Sequence, residues 1–489
     1  WSRGLGDVYK RQPDDTGSAD TATSDTGTPD QPPADAVRFV TDTDGSRLLL
    51  HGVNLWSAAK SDPEGPARID ETDAARLHRW GFNFVRLLIF WEYVEPEPGR
   101  IDQNYLAAVR QRIDLLAAAG IHVLVDMHQD VYARRFCCDG APEWAIRDDG
   151  LPFELQSIWA LNYMQPAVVR AFDNFWATEG PNTDLRTHYL DAWRAVVTSL
   201  GDHPAVIGWD IINEPSSGSL FEPVEALSRV SPPNGGKSRI FDETVLGPFY
   251  QQAVDTIREV DSNGWIFLEP RYAAPSNGSP SWLPRIHDPR SGEPRIVSAP
   301  HLYSFRLEAN GSFDASDVTV PVWERERATE FNRWGAPTVI GEYGLAWSNT
   351  GADLFHRQVL EMADRNLYGW AYWSYDPSGA DGWGLWDGST GADTPAAALL
   401  VRPYVQRWPG EPAEMSWNPD SGVLRAVLNR DPAVDAPLQV YVPDGWSAEA
   451  PVAMLDGTPV DGDWLPDDRL LRVALPPTAG VMTLELAAR

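Results

Sequence analysis

The chain has 489 residues, enough for one barrel of about 250 to 400 residues and a small companion domain. Its formal net charge of −30 argues against binding to nucleic acid or to an anionic membrane surface, because phosphate groups would repel it. Hydrophobic residues make up 43% of the sequence, which is ample for a large core. The 22 tryptophans exceed what a core needs, and aromatic faces suit sugar rings and lipid tails.

The first 36 residues are predicted to form no folded domain. Residues 1–12 resemble neither a signal peptide nor a structural element and are interpreted as a fragment edge. Residues 13–36 consist almost entirely of Asp, Thr, Ser, Pro, Gly and Ala, which is typical of a disordered acidic linker. Such a linker often joins an export signal or lipid anchor to a secreted domain, so we expect a secreted or cell-surface protein. The sequence has no apolar run long enough to span a bilayer.

Residues 37–408 show strands that alternate with helices. The segment 42–45 predicts a turn between two short strands, 38–40 and 48–50. A first buried strand follows at 51–56. Further strands are predicted at 84–90, 122–128, 205–214, 265–269, 295–301, 338–342 and 369–374. Helices are predicted at 71–80, 102–119, 164–176, 185–200, 242–260, 322–334 and 351–366.

The predicted strands from 51 onward are apolar throughout, as expected for parallel strands that are buried on both faces. Eight units of strand and helix favour an α/β fold of the (β/α)8 TIM-barrel type over a doubly wound sheet. No glycine-rich phosphate loop follows any of these strands, which weakens a nucleotide-binding interpretation.

The pattern changes in residues 409–489. Short strands of alternating polarity, separated by turn residues about every 8 to 12 positions, predict a small C-terminal β-sandwich. No cluster of chemically active residues appears in it, so packing support, ligand binding and membrane docking all stay open as roles. The strands are predicted at 422–428, 438–442, 470–475 and 481–486.

Polar side chains of the barrel region collect at the ends of the predicted strands, where (β/α)8 barrels place their active sites. Two carboxylates stand out because each ends an apolar strand. Glu214 lies in the motif Asn213-Glu214-Pro215, and Glu342 ends the strand 338–342. Other polar or aromatic residues at strand ends are Arg86, Asp126, His128, Asp130, His301, Tyr303 and Trp373.

Strands four and seven can bring Glu214 and Glu342 together across the barrel mouth. Carboxyl groups about 5 to 5.5 Å apart suit a retaining glycosidase, in which one is the nucleophile and the other the acid/base. Arg86 beside one carboxylate would keep it ionised, whereas burial and a like charge would keep the other protonated. One glutamate at a strand end is more often a helix cap or a rim ion pair, but a pair on these two strands favours catalysis.

Metal catalysis is the main rival chemistry, through a mixed site of His128, Asp130 and His301. No His-x-His follows the first strand, and no strand-borne lysine accompanies carboxylates, so we predict neither a metal nor another cofactor. The cysteines, Cys137 and Cys138, are adjacent, a spacing that disfavours a zinc site. A vicinal disulfide and two free thiols both stay open.

Residues 37–405 resemble glycoside hydrolase family 5, a family of (β/α)8 barrels. Asn213-Glu214-Pro215 is similar to the family's acid/base signature, and the Ile-Gly-Glu-Tyr-Gly sequence at 340–344 resembles its nucleophile signature. The resemblance implies that Glu214 is the acid/base and Glu342 the nucleophile. It also implies active-site partners at Arg86, His128, Asn213, His301, Tyr303 and Trp373.

Within that family, three segments resemble endoglycoceramidases, which cleave the β-glycosidic bond between a glycan and ceramide. They are 126–130, in the third strand, and 140–145 and 172–176, in the third loop. The C-terminal sandwich also matches that architecture. Lys60 lies two positions beyond the family's glycan-contacting lysine, and the insert 221–239 is expected to reshape the mouth. The resemblance implies contacts to the first sugar from His128, Asp130, Asn213 and Tyr303.

The sequence therefore predicts a retaining β-glycosidase that hydrolyses the bond between glycan and ceramide in glycosphingolipids. One alternative is a β-glucosidase or endo-β-glucanase that acts on steryl glucosides or soluble glucans, and another is a non-catalytic barrel that binds carbohydrate or lipid. A wide apolar channel beside the acid/base would favour lipid, whereas an open groove with a row of tryptophans would favour polysaccharide. We expect a monomer that binds a glycolipid substrate, touches a membrane surface transiently and binds no nucleic acid.

Overall fold

The computed structural model describes residues 31–55, 60, 68–273, 275–304, 311–377, 383–447 and 449–488. Residues 1–30, which make up most of the predicted linker, lie outside the described residues, as does Trp56 at the end of the first predicted barrel strand. Within the described ranges, no helix is both long and apolar enough to cross a membrane.

The chain first forms the predicted hairpin. Strands β1 (Val40–Thr41) and β2 (Arg47–Leu48) pair antiparallel, with Val40 opposite Leu48. Gly45, in the turn, has a φ of +85°, a left-handed conformation that glycine adopts without a steric penalty.

Eight parallel strands form the barrel. They are β3 (His51–Leu55), β4 (Phe84–Phe90), β5 (His122–His128), β6 (Val206–Asp210), β7 (Trp265–Leu268), β8 (Ile296–Ser298), β9 (Val339–Tyr343) and β10 (Gly369–Tyr372). They lie in the order β8-β7-β6-β5-β4-β3-β10-β9. A parallel bridge between Ser298 and Thr338 joins the two outer strands, so the sheet closes. The predicted (β/α)8 barrel is confirmed.

Strand β6 ends earlier than predicted. Its last paired residue is Asp210, opposite Phe267 of β7, so the predicted strand 205–214 is wrong from residue 211 onward. The chain then turns out of the sheet at Glu214, which has a φ of +41°. The apolar pattern misleads here because Ile211 and Ile212 are as buried as strand residues although they lie in a loop.

Among the described residues, helices connect most of the successive barrel strands. The predicted helix 242–260 forms as a π-helical turn, Asp242–Leu246, followed by an α-helix. Pro248 begins that helix and has no N–H group to donate to the preceding turn, which explains the irregular hydrogen bonding. The helices are α1 (Glu71–Arg79), α2 (Trp91–Val94), α3 (Gln103–Ala118), α4 (Pro166–Phe175), α5 (Asp184–Leu200), α6 (Pro223–Ser228), α7 (Gly236–Phe241), α8 (Gly247–Arg258), α9 (Thr319–Trp334), α10 (Ala352–Asn366) and α11 (Pro395–Leu400).

Alternate side chains of each barrel strand point to opposite faces. Val85 and Val123 pack outward in the large core shared with the helices, whereas Phe84 and Leu124 fill the barrel interior. The inward positions two residues further along, on β4 and β5, are therefore charged rather than apolar, since they belong to Arg86 and Asp126. The polar site therefore begins in the part of the barrel interior that is nearer the C-terminal ends of the strands.

The C-terminal strands form two antiparallel sheets around a separate core, as the predicted β-sandwich requires. The strands are β11 (Tyr404–Trp408), β12 (Gly410–Asn418), β13 (Val423–Arg430), β14 (Leu438–Tyr441), β15 (Val452–Leu455), β16 (Thr458–Val460), β17 (Asp463–Leu465), β18 (Leu470–Val473) and β19 (Gly480–Ala487). One sheet has the order β12-β13-β19-β15-β16, and the other has the order β1-β2-β11-β14-β18-β17. The hairpin and β11 thus pair with the sandwich, although both fall within the range 37–408 that the sequence assigned to the barrel.

Candidate active site

Arg86 on β4 is the hub of the site, and its side chain is completely buried inside the barrel. Its guanidinium nitrogens lie 2.7 Å from Glu342, 2.7 Å from Glu269, 2.8 Å from Asp210 and 3.0 Å from Asp126. A buried cation needs such partners, because removal from water is costly unless carboxylates compensate for it. The surrounding carboxylates thus come from β5, β6 and β9 and from the residue that directly follows β7.

Two asparagines complete the coordination of Arg86. Asn54 and Asn213 each accept a hydrogen bond of 3.0 Å from its guanidinium through their side-chain oxygens. The amide nitrogen of Asn213 donates to the carbonyl of Gln129 at 2.9 Å. Both ends of the Asn213 side chain are therefore held in place directly before Glu214.

Glu342 sits near the end of β9 with both carboxylate oxygens occupied. Oε1 accepts from Arg86 at 2.7 Å, and Oε2 accepts from the Tyr303 hydroxyl at 2.8 Å. Burial alone would raise the pKa of this carboxyl, but the positive charges of His301 and Arg86 outweigh it and lower the pKa. Glu342 is thus held as a carboxylate, the state that a nucleophile needs.

Glu214 leaves β6 through a loop and adopts a left-handed backbone conformation that non-glycine residues rarely take. Its N–H donates to Glu269 at 2.8 Å, and its carbonyl accepts from the Gln129 side chain at 3.1 Å. These two bonds hold the conformation, and only 8% of the residue is exposed. Burial raises the pKa of Glu214, and the charges of Glu342 and Asp130 raise it further, against the lowering effect of His301.

His301, which follows β8, stands between the two glutamates. Its Nδ1 atom lies 3.0 Å from Glu214 Oε1 and 3.6 Å from Glu342 Oε2, and its Nε2 atom lies 3.2 Å from Glu269. Glu214 Oε1 and Glu342 Oε2 can therefore be no further apart than the sum of their distances to Nδ1. That limit falls at the bottom of the roughly 6.5 to 9.5 Å range of inverting glycosidases and allows the shorter separation of retaining ones.

A second group of polar residues lies beside this pair. His128 Nδ1 is 2.7 Å from Asp126, its Nε2 is 3.5 Å from Asp130, and its ring stacks on Trp373 at 5.7 Å between centroids. Lys60 contacts the Asp130 carboxylate, and its ammonium lies 4.0 Å from the centre of the Trp373 ring. This arrangement offers charged donors, an acceptor and an aromatic face, which are the contacts that a sugar ring uses.

The structure thus brings all the residues predicted from the sequence into one connected network at the C-terminal end of the barrel. Each of them contacts Arg86, Glu342, His301, His128 or Trp373. They are Lys60, Arg86, His128, Asp130, Asn213, Glu214, His301, Tyr303, Glu342 and Trp373.

Glu269 was not predicted from the sequence, although it touches Arg86, His301 and the backbone of Glu214. The signal was present, because Glu269 ends the predicted apolar strand 265–269 as Glu214 ends the predicted strand 205–214. Asp210 was not predicted either, because its position inside β6 gives no sign of function. Only the closed barrel shows that Asp210 points towards the guanidinium of Arg86.

Two open questions from the sequence concern metal binding and the cysteines. Among the described residues, the clusters of close ligand atoms do not combine His301 with His128 and Asp130, so the considered mixed site is not assembled. Cys137 and Cys138 form a vicinal disulfide in the loop after β5.

Comparisons with known proteins agree with this geometry. Residues 41–379 match the model of the cellulase family, glycosyl hydrolase family 5. The chain is 30% identical over 446 residues to endoglycoceramidase I of Rhodococcus hoagii strain 103S, which covers 87% of this chain and 83% of that protein. It is also similar to the structure of endo-glycoceramidase II from Rhodococcus sp. in complex with ganglioside GM3, with a TM-score of 0.83 and 35% identity. That alignment covers 92% of this chain and 99% of the other.

A further solved structure of endo-glycoceramidase II, described as a lactosyl-enzyme intermediate, aligns with a TM-score of 0.82 and 36% identity, over 93% of this chain and 100% of that one. The family match spans more than half of the chain and includes β3 to β10, with Glu214 and Glu342. The chain belongs to glycoside hydrolase family 5.

Proposed function

We propose that the chain is a retaining β-glycosidase that hydrolyses the bond between the glycan and the ceramide of glycosphingolipids. The observation that carries this proposal is the pair Glu214 and Glu342, which share the Nδ1 atom of His301 and have pKa values shifted in opposite directions. The similarity to endoglycoceramidases over most of the chain supports the substrate class.

In the first step, Glu342 Oε2 or Oε1 attacks the anomeric carbon and forms a glycosyl ester. Glu214, protonated at the start, gives its proton to the glycosidic oxygen as the bond to the sugar breaks, so ceramide leaves as an alcohol. Arg86 and Tyr303 hold the nucleophile through hydrogen bonds of 2.7 and 2.8 Å. They orient Glu342 before the substrate binds, which limits reorganisation during the reaction.

In the second step, water enters where ceramide has left. Glu214, now ionised, removes a proton from this water, and the oxygen attacks the anomeric carbon. The ester bond breaks, Glu342 returns as a carboxylate, and Glu214 is protonated again. The anomeric configuration of the sugar is retained because it is inverted twice.

The group beside the nucleophile is proposed to bind the first sugar. Asp130 is an acceptor and Lys60 a donor for hydroxyl groups, and Trp373 offers a face on which a sugar ring can stack. Burial and the charge of Lys60 would lower the pKa of His128, but the Asp126 carboxylate raises it to about 9. His128 is therefore a charged donor at neutral pH.

Aromatic side chains lie beside the proposed acid/base, Glu214, where the leaving group must sit. Tyr272 is bound through its N–H to the carbonyl of Pro215, the residue after Glu214, at 2.9 Å. The Tyr272 ring stacks on Tyr163 and Phe221, with ring centroids 3.9 and 6.3 Å apart. Trp159 packs edge-on against Tyr272, with ring centroids 6.3 Å apart. This aromatic wall beside Glu214 offers an apolar surface against which the leaving ceramide can pack.

The wall continues into exposed apolar side chains on the loop after β5. Leu155, Ile158 and Trp159 are 68%, 54% and 42% exposed. Neighbouring apolar residues of this kind mark interaction surfaces when they are exposed together. We infer that this loop touches the lipid surface transiently while ceramide is bound, and that the protein acts as a monomer outside the cell or on its surface.

Incubation with a panel of glycosylceramides, steryl glucosides and β-glucans, followed by identification of the products, tests the proposal. Release of intact oligosaccharide and ceramide is the expected result, and Glu342→Gln should abolish it while the thermal unfolding transition stays cooperative. Release of monosaccharides alone, or a clear preference for steryl glucosides or soluble glucans, would instead favour the β-glucosidase or glucanase alternatives.

A further inference from the structure

Asp139 is a buried carboxyl group whose two oxygens bond no donor among the described residues. Its backbone is paired with that of Asp130, because each N–H donates to the other's carbonyl at 3.3 Å. A carboxylate removed from water without hydrogen bonds is strongly disfavoured. The Asp139 carboxyl group nevertheless lies next to Asp130, which is proposed to bind the first sugar.

The loop that carries Asp139 has a constrained backbone. The disulfide-bonded Cys137 and Cys138 come immediately before it, and Cys137 has a φ of +96°. Gly140 follows with a φ of +122°, and a Cβ atom there would lie 2.6 Å from the Cβ of Gln129. The disulfide and Gly140 therefore limit the backbone conformations that are open to Asp139.

The Asp139 carboxyl lies close to the proposed sugar-binding group. One carboxylate oxygen each of Asp139 and Asp130 and one ring nitrogen of His128 all lie within 4.8 Å of one another. Lys60, which contacts Asp130, also interacts with Asp139. Two further charged residues interact electrostatically with Asp139. They are Glu92 on α2 and Arg134 in the same loop as Asp139. Arg134 also donates a hydrogen bond to the Lys60 carbonyl at 3.1 Å.

We propose that Asp139 is a positioning residue that controls sugar binding through Lys60 and Asp130, according to whether its carboxyl holds a proton. When Asp139 is neutral, the Lys60 ammonium stays with Asp130, and both are poised for sugar hydroxyl groups. When Asp139 is ionised, it attracts the Lys60 ammonium and so competes with Asp130 for it. This inference rests on the proposed function, since it names a control on the same sugar site.

The switch would operate near neutral pH. Burial raises the pKa of Asp139 to about 7, with a further contribution from the Asp130 charge, against the lowering effect of Lys60 and His128. The neutral form therefore predominates below that value and the ionised form above it. Sugar affinity is expected to fall as pH rises through this range.

The test measures equilibrium binding rather than turnover. The inactive Glu342→Gln variant, with and without Asp139→Asn, is titrated with lactosylceramide in detergent micelles between about pH 5.5 and 8.5. In the parent, Kd should rise by roughly three- to tenfold across this range, because a coupling of up to one pKa unit corresponds to a factor of ten. With Asp139→Asn, the dependence on pH should be flat or nearly so.

Asp364→Asn in the same background is the matched control. Burial raises the pKa of Asp364 to about 6, but this carboxyl pairs with Arg402 near the end of α10, at the opposite end of the barrel. It should leave the pH dependence of binding unchanged. Should Asp139→Asn fail to fold, Asp139→Ser offers the same comparison.

The two ideas fail in distinguishable ways. An identical rise in Kd with and without Asp139→Asn would overturn the role of Asp139 and leave the proposed function standing. Absence of lactosylceramide binding by the parent at every pH would overturn the proposed function, and the inference with it.

Discussion

The Nδ1 atom of His301 lies within hydrogen-bonding distance, 3.0 Å, of Glu214 Oε1. Burial would lower the pKa of this imidazole, but the charges of Glu269 and Glu342 raise it well above its usual value. A charged ring therefore sits where the negative charge of Glu214 develops after it gives up its proton. His301 can stabilise the ionised form that the second step requires, while burial favours the protonated form that the first step requires.

These opposite demands predict a bell-shaped dependence of kcat/KM on pH. Activity should fall as pH drops through the lowered pKa of Glu342, because the nucleophile becomes protonated, and fall as pH rises through the raised pKa of Glu214, because the acid is lost. Initial rates on a glycosylceramide in micelles measure both limbs. A rate that keeps rising above neutral pH would contradict a protonated Glu214.

Removal of each carboxyl should have a different signature. Glu342→Gln should stop turnover of every substrate, since no ester can form. Glu214→Gln should slow glycosylceramide hydrolysis by about 10² to 10⁴-fold but should slow cleavage of a nitrophenyl glycoside much less, because that leaving group needs no proton. Azide should partly restore turnover in Glu214→Gln, and the product should be a β-glycosyl azide. An α-azide, or equal losses on both substrates, would reverse or reject the assigned roles.

Glu214 and Glu342 could be singled out from the sequence because each ends an apolar segment, a pattern that is visible without any knowledge of side-chain contacts. The sequence predicted the barrel for the same reason, since eight apolar segments alternate with helical periodicity. The end of β6 escaped prediction because Ile211 and Ile212 are buried in a loop, and burial is all that the apolar pattern records.

Partners across the fold were harder to predict. Asp210 and Glu269 are 59 positions apart in the chain, and both contact Arg86 only because the barrel brings β4, β6 and β7 together. The hairpin β1–β2 was correctly predicted as a local unit, but its pairing with β11 joins segments more than 350 residues apart. Local periodicity identifies a strand and leaves its neighbour undetermined.

Replacement of Arg86 should damage the fold as well as the reaction. Arg86→Lys keeps the charge but loses the planar fork that reaches Glu342, Asp210 and Glu269 together. Loss of one partner from a buried ionic network typically destabilises a protein by about 3 to 5 kcal/mol, and a retained charge should reduce this effect. Urea unfolding should therefore rank wild type above Arg86→Lys and Arg86→Lys above Arg86→Met, and equal midpoints would show that the network contributes little.

Contact with a lipid surface should depend on the exposed loop after β5. Leu155→Ser combined with Ile158→Ser should lower the hydrolysis of glycosylceramide in vesicles several-fold through lost membrane contact, and should leave a soluble nitrophenyl glycoside unaffected. Val260→Ser is the matched control, because Val260 is 42% exposed beyond the C-terminal end of α8, at the other end of the barrel. Equal effects of the loop and control variants on vesicle hydrolysis would remove the case for this surface.

Asp139 should also leave a mark on stability. Its pKa is raised to about 7 in the folded protein and returns towards 3.8 on unfolding, so the folded state binds the proton more tightly. The protonated carboxyl therefore favours the folded state most below pH 3.8, and this contribution is lost as pH rises through about 7. Asp139→Asn should accordingly gain stability relative to wild type as pH increases, by at most about 1.4 kcal/mol for each unit of pKa shift. Thermal unfolding of the two proteins, followed by circular dichroism at pH values below and above this range, measures the difference. A gap in Tm that stays constant with pH would show that Asp139 titrates alike in the folded and unfolded chains.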